Sequence, residues 1–223
     1  MGNFGKDMEI LHTAILENYQ SIIDGYHYRF DQDPAIKITA EARYGEQLEE
    51  MLINNPVDIL LIEPFVPVSK TNRNYFPVWL TLCGVKEKWP HVKILVITGN
   101  NDSGNVRNAV DIGVNGYIFK EEAQAIHYLA DAIKFIAFGS HLYSQLAQKL
   151  LQESFEETVN LSRRQLCALS LCAAYPNEQL KHLAGQLEIT HSTFRSTLSR
   201  AYAKLNVHSR MGAVDEARRR GWI

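Results

Sequence analysis

The chain has 223 residues, of which 46% are hydrophobic, so it is long enough to bury a substantial core, and we predict two domains. It has no apolar run near the roughly 20 residues that span a membrane, and no secretory signal, so we expect a cytoplasmic protein without membrane contact. Three cysteines without a CxxC pair argue against a disulfide framework or a zinc ribbon.

Charge is divided unevenly along the chain. Residues 1–160 carry 13 basic and 21 acidic side chains, a net charge of −8. Residues 161–223 carry 10 basic and 4 acidic side chains, a net charge of +6. This asymmetry indicates two separate tasks, and the basic region favours a polyanionic partner.

The first part of the chain alternates predicted strands with predicted helices. Apolar or alternating segments predict strands at residues 9–16, 35–42, 57–62, 92–97 and 116–119. Helical periodicity follows them, around residues 22–26, 45–53, 79–86, 106–112 and 123–138. Five such units predict a doubly wound (βα)5 domain of the α/β class, with a parallel sheet between helices. We place this domain at residues 1–142 and a glutamate-rich linker at residues 143–159.

Polar side chains follow four of the predicted strands. They are Glu17 and Asn18 after the first, Glu63 after the third, Thr98 after the fourth and Lys120 after the fifth. Because the carboxyl ends of parallel strands meet at one edge of a sheet, we expect these side chains to converge there. Contact with solvent explains any one polar strand end equally well, but it explains the whole set less well.

Residues 160–223 predict a small all-α domain of four helices. Ser162 caps the first, a short helix covers residues 181–187, and Thr190 caps a helix over residues 190–205. A last helix covers residues 210–220. Two helices joined by a tight turn, the second with a basic and hydroxylated outer face, are typical of a helix-turn-helix. Such a face suits a DNA groove, although a polar helix face is often only solvated surface.

Both domains resemble parts of one known family. The segments ILLIEPFVP, VKILVIT and GYIFK resemble the receiver domain of bacterial response regulators. The segments LSRR and TFRSTLSRAYAKLNVHSR resemble the four-helix LuxR-type DNA-binding domain of the NarL/FixJ response regulators. The resemblance implies a transcriptional regulator that binds double-stranded DNA as a homodimer, without enzymatic activity or a cofactor.

The resemblance also assigns roles to individual residues. Those assigned to DNA are Thr193, Arg195, Ser196, Ser199, Arg200 and Lys204. Those assigned to the dimer contact are Met211, Val214 and Ala217, which could equally close the core of the small domain. Tyr117 stands at the position of the family's switch aromatic residue.

The receiver-like pocket departs from the family pattern. Glu63 stands where the family has its phosphoacceptor aspartate, and Asn18 replaces one of the acidic residues that hold Mg²⁺. We therefore expect a degenerate pocket of Glu17, Asn18, Glu63, Thr98 and Lys120, without a metal and without the usual phosphorylation cycle. Either Glu63 mimics the phosphorylated state by reaching Thr98 and Lys120, or it only neutralises the lysine.

Two other functions remain open at this point. The first domain could dock a protein partner while DNA binding is vestigial. Glu17 and Glu63 could instead serve a metal-dependent hydrolase, but the sequence supplies no nucleophile and no fuller set of ligands for that reaction.

Overall fold

Six strands form one parallel sheet in the computed structural model, which describes residues 10–153 and 161–223. The strands are β1 (Leu11–Leu16), β2 (Ile36–Ala42), β3 (Ile59–Ile62), β4 (Lys93–Thr98), β5 (Gly116–Phe119) and β6 (Leu142–Tyr143). Their order across the sheet is β2-β1-β3-β4-β5-β6, and every neighbouring pair is parallel. The predicted α/β class is confirmed, and β6 adds one strand to the five predicted.

Seven helices cover this sheet on its two faces in the described part of the first domain. They are α1 (Gln20–Phe30), α2 (Leu48–Asn54), α3 (Val78–Lys88), α4 (Ser103–Ile112), α5 (Ala123–His127), α6 (Leu129–Ala137) and α7 (Gln145–Glu153). Helices α1 and α6 bury their apolar sides against one face, and α2, α3, α4 and α7 cover the other. The central strands β3 and β5 are therefore buried along their whole length, as their continuous apolar runs predict.

The helix predicted at residues 123–138 is divided into α5 and α6. Tyr128 lies between them with φ −95° and ψ 26°, outside the helical region. The apolar stripe continues after this break along α6, at Leu129, Ala132, Ile133 and Ile136. Because the stripe is regular, hydrophobic periodicity alone could not locate the interruption.

The predicted linker begins with structure that belongs to the first domain. Strand β6 pairs with β5, and α7 places Ala147 fully inside the core beneath β5 and α4. Leu146 and Leu150 pack against the same core. Strand β6 and helix α7, which lie within the predicted linker or at its edge, therefore pack with the first domain. Residues 154–159 of the predicted linker, Asn160 and the predicted strand start at residue 9 lie outside the described residues.

Four helices form the second domain. They are α8 (Arg163–Ala174), α9 (Leu180–Gln186), α10 (His191–Leu205) and α11 (Arg210–Arg219). Ser162 and Gln165 form a reciprocal capping box at the start of α8, which satisfies two backbone donors. The Thr190 hydroxyl accepts from the Thr193 amide at the start of α10, as predicted. None of the helices in residues 10–153 and 161–223 is long and apolar enough to cross a membrane.

Candidate functional site

The structure brings the polar strand ends of the first domain together in one pocket, here called the Glu63 pocket. Lys120 Nζ lies 2.6 Å from Glu17 Oε2 and 2.9 Å from Glu63 Oε2. The Thr98 hydroxyl donates to Glu63 Oε1 at 2.9 Å, and the Phe65 amide donates to the same oxygen at 3.1 Å. Glu63 therefore contacts both partners that the sequence predicted for it.

The ion pairs of this pocket are largely shielded from solvent. Glu17 is 1% exposed, Glu63 is 8% exposed and Thr98 is fully buried. Burial acts to lower the pKa of Lys120, but the charges and hydrogen bonds of Glu63 and Glu17 outweigh it, so the pKa lies above its ordinary value. Lys120 consequently stays charged at neutral pH and is held between two carboxylates.

Asn18 lies at the edge of this pocket without joining its hydrogen-bond network. Its Oδ1 atom is buried and accepts no hydrogen bond. Within the described residues, no group of three or more histidine, cysteine or acidic side chains is arranged to hold a metal ion. The donor set of the pocket is two carboxylates that are already paired with one lysine.

Tyr117 is turned completely into the core. Its ring is fully buried and lies 5.2 Å from the Phe119 ring, and its hydroxyl has no hydrogen-bond partner. Burial raises the pKa of this hydroxyl, with a further contribution from the charge of Glu63. The residue predicted as the switch aromatic is thus next to the pocket and held inward.

The candidate DNA-reading face lies on the outer side of α10. Arg195, Ser196, Ser199, Arg200 and Lys204 are exposed, and Thr193 is half-buried. The opposite side carries the buried Phe194, Leu198, Ala201 and Leu205, which pack within the second domain's core. The reading face is thus built by the amphipathic pattern of one helix, because packing its apolar side turns the polar side outward.

The three residues predicted for a dimer contact do not lie on one surface. Met211 is 75% exposed, whereas Val214 and Ala217 are buried in the second domain's own core. The structure therefore shows the core-closing role for Val214 and Ala217 and leaves Met211 available at the surface.

The sequence did not point to the residues that join the two domains. The amides of Asn72 and Asn74, in the long connection after β3, both donate to the Ala174 carbonyl at the end of α8. Asn105 of α4 donates to the Gly221 carbonyl. The connection at residues 66–74 is longer than the short loop usual at this place in receiver domains, which the sequence could have shown, whereas a single asparagine in a helix carries no such signal.

No family model matches the chain. It is 23% identical over 241 residues to the transcriptional regulatory protein DegU of Brevibacillus brevis, covering 96% of this chain and 95% of that protein. It is 24% identical over 209 residues to the nitrate/nitrite response regulator protein NarP of Escherichia coli (strain K12), covering 91% and 92%. It is also 30% identical over 131 residues to the transcriptional regulatory protein DesR of Bacillus subtilis (strain 168), covering 59% and 62%.

Its relatives are response regulators and transcriptional regulators. Among solved structures, the chain is similar to a chain in the structure of two RcsB dimers bound to two parallel DNAs, with a TM-score of 0.60, 18% identity, and coverage of 94% of this chain and 98% of that one. A second is RcsB from Salmonella enterica serovar Typhimurium bound to promoter P1flhDC, with a TM-score of 0.59, 19% identity, and coverage of 92% and 97%. This likeness confirms the fold, an α/β domain followed by a helical one.

Proposed function

We propose that this chain is a sequence-specific DNA-binding transcriptional regulator of the response-regulator type, controlled without phosphorylation of an aspartate. The observation that carries the DNA-binding part is the exposed, hydroxylated and basic side of α10, which follows α9 in a helix-turn-helix. Relatives that span nearly the whole chain carry the names of transcriptional and response regulators, which supports the same function.

Arg195 is the residue we propose for direct base recognition. Its guanidinium is exposed near the start of α10, where a helix inserted in the major groove reaches base edges, and arginine pairs bidentately with guanine. Ser196 and Ser199 flank it with weaker hydroxyl donors. Thr193, Arg200 and Lys204 are assigned to phosphates, which position the helix without reading sequence.

The test compares affinities for a selected duplex and a scrambled duplex. Arg195→Ala should lower the affinity for the selected duplex by ~1–3 kcal/mol and leave the scrambled one nearly unchanged. Lys204→Ala should weaken both duplexes alike. Arg219→Ala is the matched control, because Arg219 is an exposed arginine outside α10 and pairs with Glu216 on α11. Wild-type discrimination in the Arg195→Ala variant would contradict the assignment.

The independence from aspartate phosphorylation rests on Glu63. A glutamate at this position already contacts Thr98 and Lys120, and its neighbour Asn18 lacks the charge that would help to bind Mg²⁺. We expect incubation with a small phosphodonor and Mg²⁺ to leave every residue of the Glu63 pocket unlabelled in mass spectrometry. A phosphoryl group found on Glu17 or Glu63 would contradict this part of the proposal.

DNA affinity distinguishes the two roles left open for Glu63, which are mimicry of the phosphorylated state and simple neutralisation of Lys120. If Glu63 holds a binding-competent state, Glu63→Ala should weaken binding to the selected duplex. Glu63→Gln should weaken it less, because an amide oxygen still accepts from Thr98 but no longer carries charge toward Lys120. Unchanged affinity and oligomeric state in both variants would leave neutralisation as the only role of Glu63.

A homodimer on DNA is part of the proposal. The RcsB structures to which the chain is similar include dimers bound to DNA, which supports a dimer here. Met211 is the exposed apolar residue of α11 and is the contact we propose. We expect Met211→Lys to reduce two-site binding while leaving single half-site binding intact. A protein partner at the first domain remains the competing proposal, and failure to bind any duplex would favour it.

A further inference from the structure

A cavity of about 670 Å³ lies between α5, α6 and the segment formed by β6 and α7, and is here called the α5–α7 cavity. This volume lies within the range of roughly 300–1,000 Å³ that is typical of small-molecule sites. The described residues that line it do not include any member of the Glu63 pocket, so the two sites are separate. Its larger apolar side chains are Ile118, Leu142, Tyr128, Phe135 and Tyr143.

The break between α5 and α6 accounts for the space. Helix α5 buries none of its residues, whereas α6 packs Leu129, Ile133 and Ile136 inside the core. Because the backbone leaves the helical conformation at Tyr128, α5 can diverge from the sheet while α6 remains packed on it. The cavity lies beside the divergent helix and is closed on its other side by the start of α7.

Two polar atoms at this cavity are buried without a hydrogen-bond partner in the described residues, namely Glu122 Oε2 and Ser144 Oγ. The other carboxylate oxygen of Glu122 accepts from the Leu146 amide in the first turn of α7 at 3.0 Å. A serine directly before a helix commonly accepts from such an amide itself. Here Glu122 occupies that donor, so the hydroxyl of Ser144, which is 7% exposed, is left over.

The chemistry of the lining defines the group that would satisfy both atoms. A carboxylate oxygen can only accept, so the missing partner is a hydrogen-bond donor. The charged side chains among the described lining residues are Glu122 and Asp131, both acidic, and Asp131 is already paired with Lys134 at 3.0 Å. A cationic N–H group therefore fits, because its hydrogen bond to the carboxylate is charge-assisted, whereas an anion would be repelled. The aromatic rings of the lining suit a flat apolar body beside that cation.

We propose that the α5–α7 cavity binds a small organic cation, a primary ammonium group attached to a flat apolar body. Glu122 and Ser144 bind the ammonium group, and the rings of Tyr128 and Phe135 contact the body. Such a ligand connects α5 with the start of α7. Because it binds the folded chain, it also raises the thermal stability of the chain in proportion to its concentration above the Kd.

Calorimetric titration of the full chain without DNA tests the site independently of the proposed function. The probes are three compounds with the same indole body, namely tryptamine with an ammonium group, tryptophol with a hydroxyl and indole-3-propionate with a carboxylate. We expect tryptamine to bind with a Kd below roughly 1 mM and at least about tenfold more tightly than tryptophol. Indole-3-propionate should bind most weakly. Bound tryptamine should slow hydrogen exchange in residues 123–128 and 142–153.

Substitutions at the two unpartnered groups locate the binding. Glu122→Gln keeps an oxygen that accepts from Leu146 but removes the charge, so it should weaken tryptamine about tenfold and leave tryptophol nearly unchanged. Ser144→Ala removes a hydroxyl that has no partner to lose, so it should weaken tryptamine about threefold without lowering the thermal midpoint of the free chain. This second variant keeps the test decisive if the first folds poorly. Glu121→Gln is the matched control, because it removes the same charge from an exposed neighbour outside the lining.

Three outcomes would overturn the proposal. Equal affinity for the three indole compounds would show that the cavity does not select a cation. Equal losses in Glu122→Gln and Glu121→Gln would show that tryptamine responds to the net charge of the domain and not to the cavity. Absence of binding by all three compounds up to about 5 mM would show that the cavity takes no ligand of this class.

Discussion

Glu63 binds three different partners in its pocket through its two carboxylate oxygens. Its two oxygens serve Lys120, the Thr98 hydroxyl and the Phe65 amide. The sequence predicted that the first two partners converge with Glu63, because the carboxyl ends of parallel strands meet at one edge of a sheet. It could not predict the third, since backbone donors depend on the path of the loop after β3.

Replacing Glu63 with alanine should cost ~1–3 kcal/mol in the free energy of unfolding, because Thr98 and the Phe65 amide lose their acceptor in a buried site. Glu49→Ala removes a glutamate from an exposed pair with Lys88 and should cost less than ~0.5 kcal/mol. Urea unfolding of the full chain measures both. Equal losses in the two variants would show that burial adds nothing to the Glu63 contacts.

The Glu63–Lys120 pair sets an expectation for how stability depends on pH. The pKa of Lys120 is raised in the folded chain, so its contribution to stability is complete below the unfolded value of about 10.4. That contribution is lost only as the pH rises through the higher folded pKa. We therefore expect the pocket's stabilising effect, taken as the difference between wild type and Glu63→Ala, to be constant from pH 7 to 9. A difference that falls within this range would contradict a charged Lys120.

At the scale of single elements, the sequence predicts a helix or strand well where burial on one or both sides determines which residues are apolar. The apolar stripe of α10 and the continuous runs of β3 and β4 are examples, since burial on one or both sides leaves a direct pattern. Helix α7 was missed as part of the first domain because its polar, glutamine-containing surface resembles a linker. Its contact with α4 and the core is long-range and leaves no local signal.

The turn between α9 and α10 contains a residue in a conformation that its type disfavours. Glu188 has φ +53°, in the left-handed region, where a side chain costs about 1 kcal/mol and glycine costs little. Glu188→Gly should therefore raise the free energy of unfolding of the second domain by ~0.5–1 kcal/mol. Thermal unfolding of the full chain measures this change. Destabilisation would mean that the Glu188 side chain makes contacts that outweigh the backbone strain.

At the scale of the whole molecule, the packing of α7 predicts where the first domain ends. A fragment of residues 10–153 should be more stable than one of residues 10–142 by ~2 kcal/mol or more, because it retains Tyr143 of β6 and the buried face of α7. Their thermal midpoints provide the comparison. Equal midpoints would return residues 143–153 to the linker.

The way the two domains meet could not be predicted from the sequence. Part of it is made by asparagine side chains that donate to backbone carbonyls of the second domain, those of Ala174 and Gly221, and such contacts have no periodicity to detect. The charge division of −8 and +6 distinguishes residues 1–160 from residues 161–223. It did not indicate that side-chain amides of the first domain donate to carbonyls of the second.

Selection of bound duplexes from a random DNA pool by the full chain tests the central claim most directly. The account predicts enrichment of one motif with two half-sites about 10 base pairs apart, as expected for a dimer of helix-turn-helix domains. The same selection with Arg195→Ala should lose the preference at one base position in each half-site. A pool that remains random after selection, or binding that Arg195→Ala leaves unchanged in both affinity and motif, would contradict it.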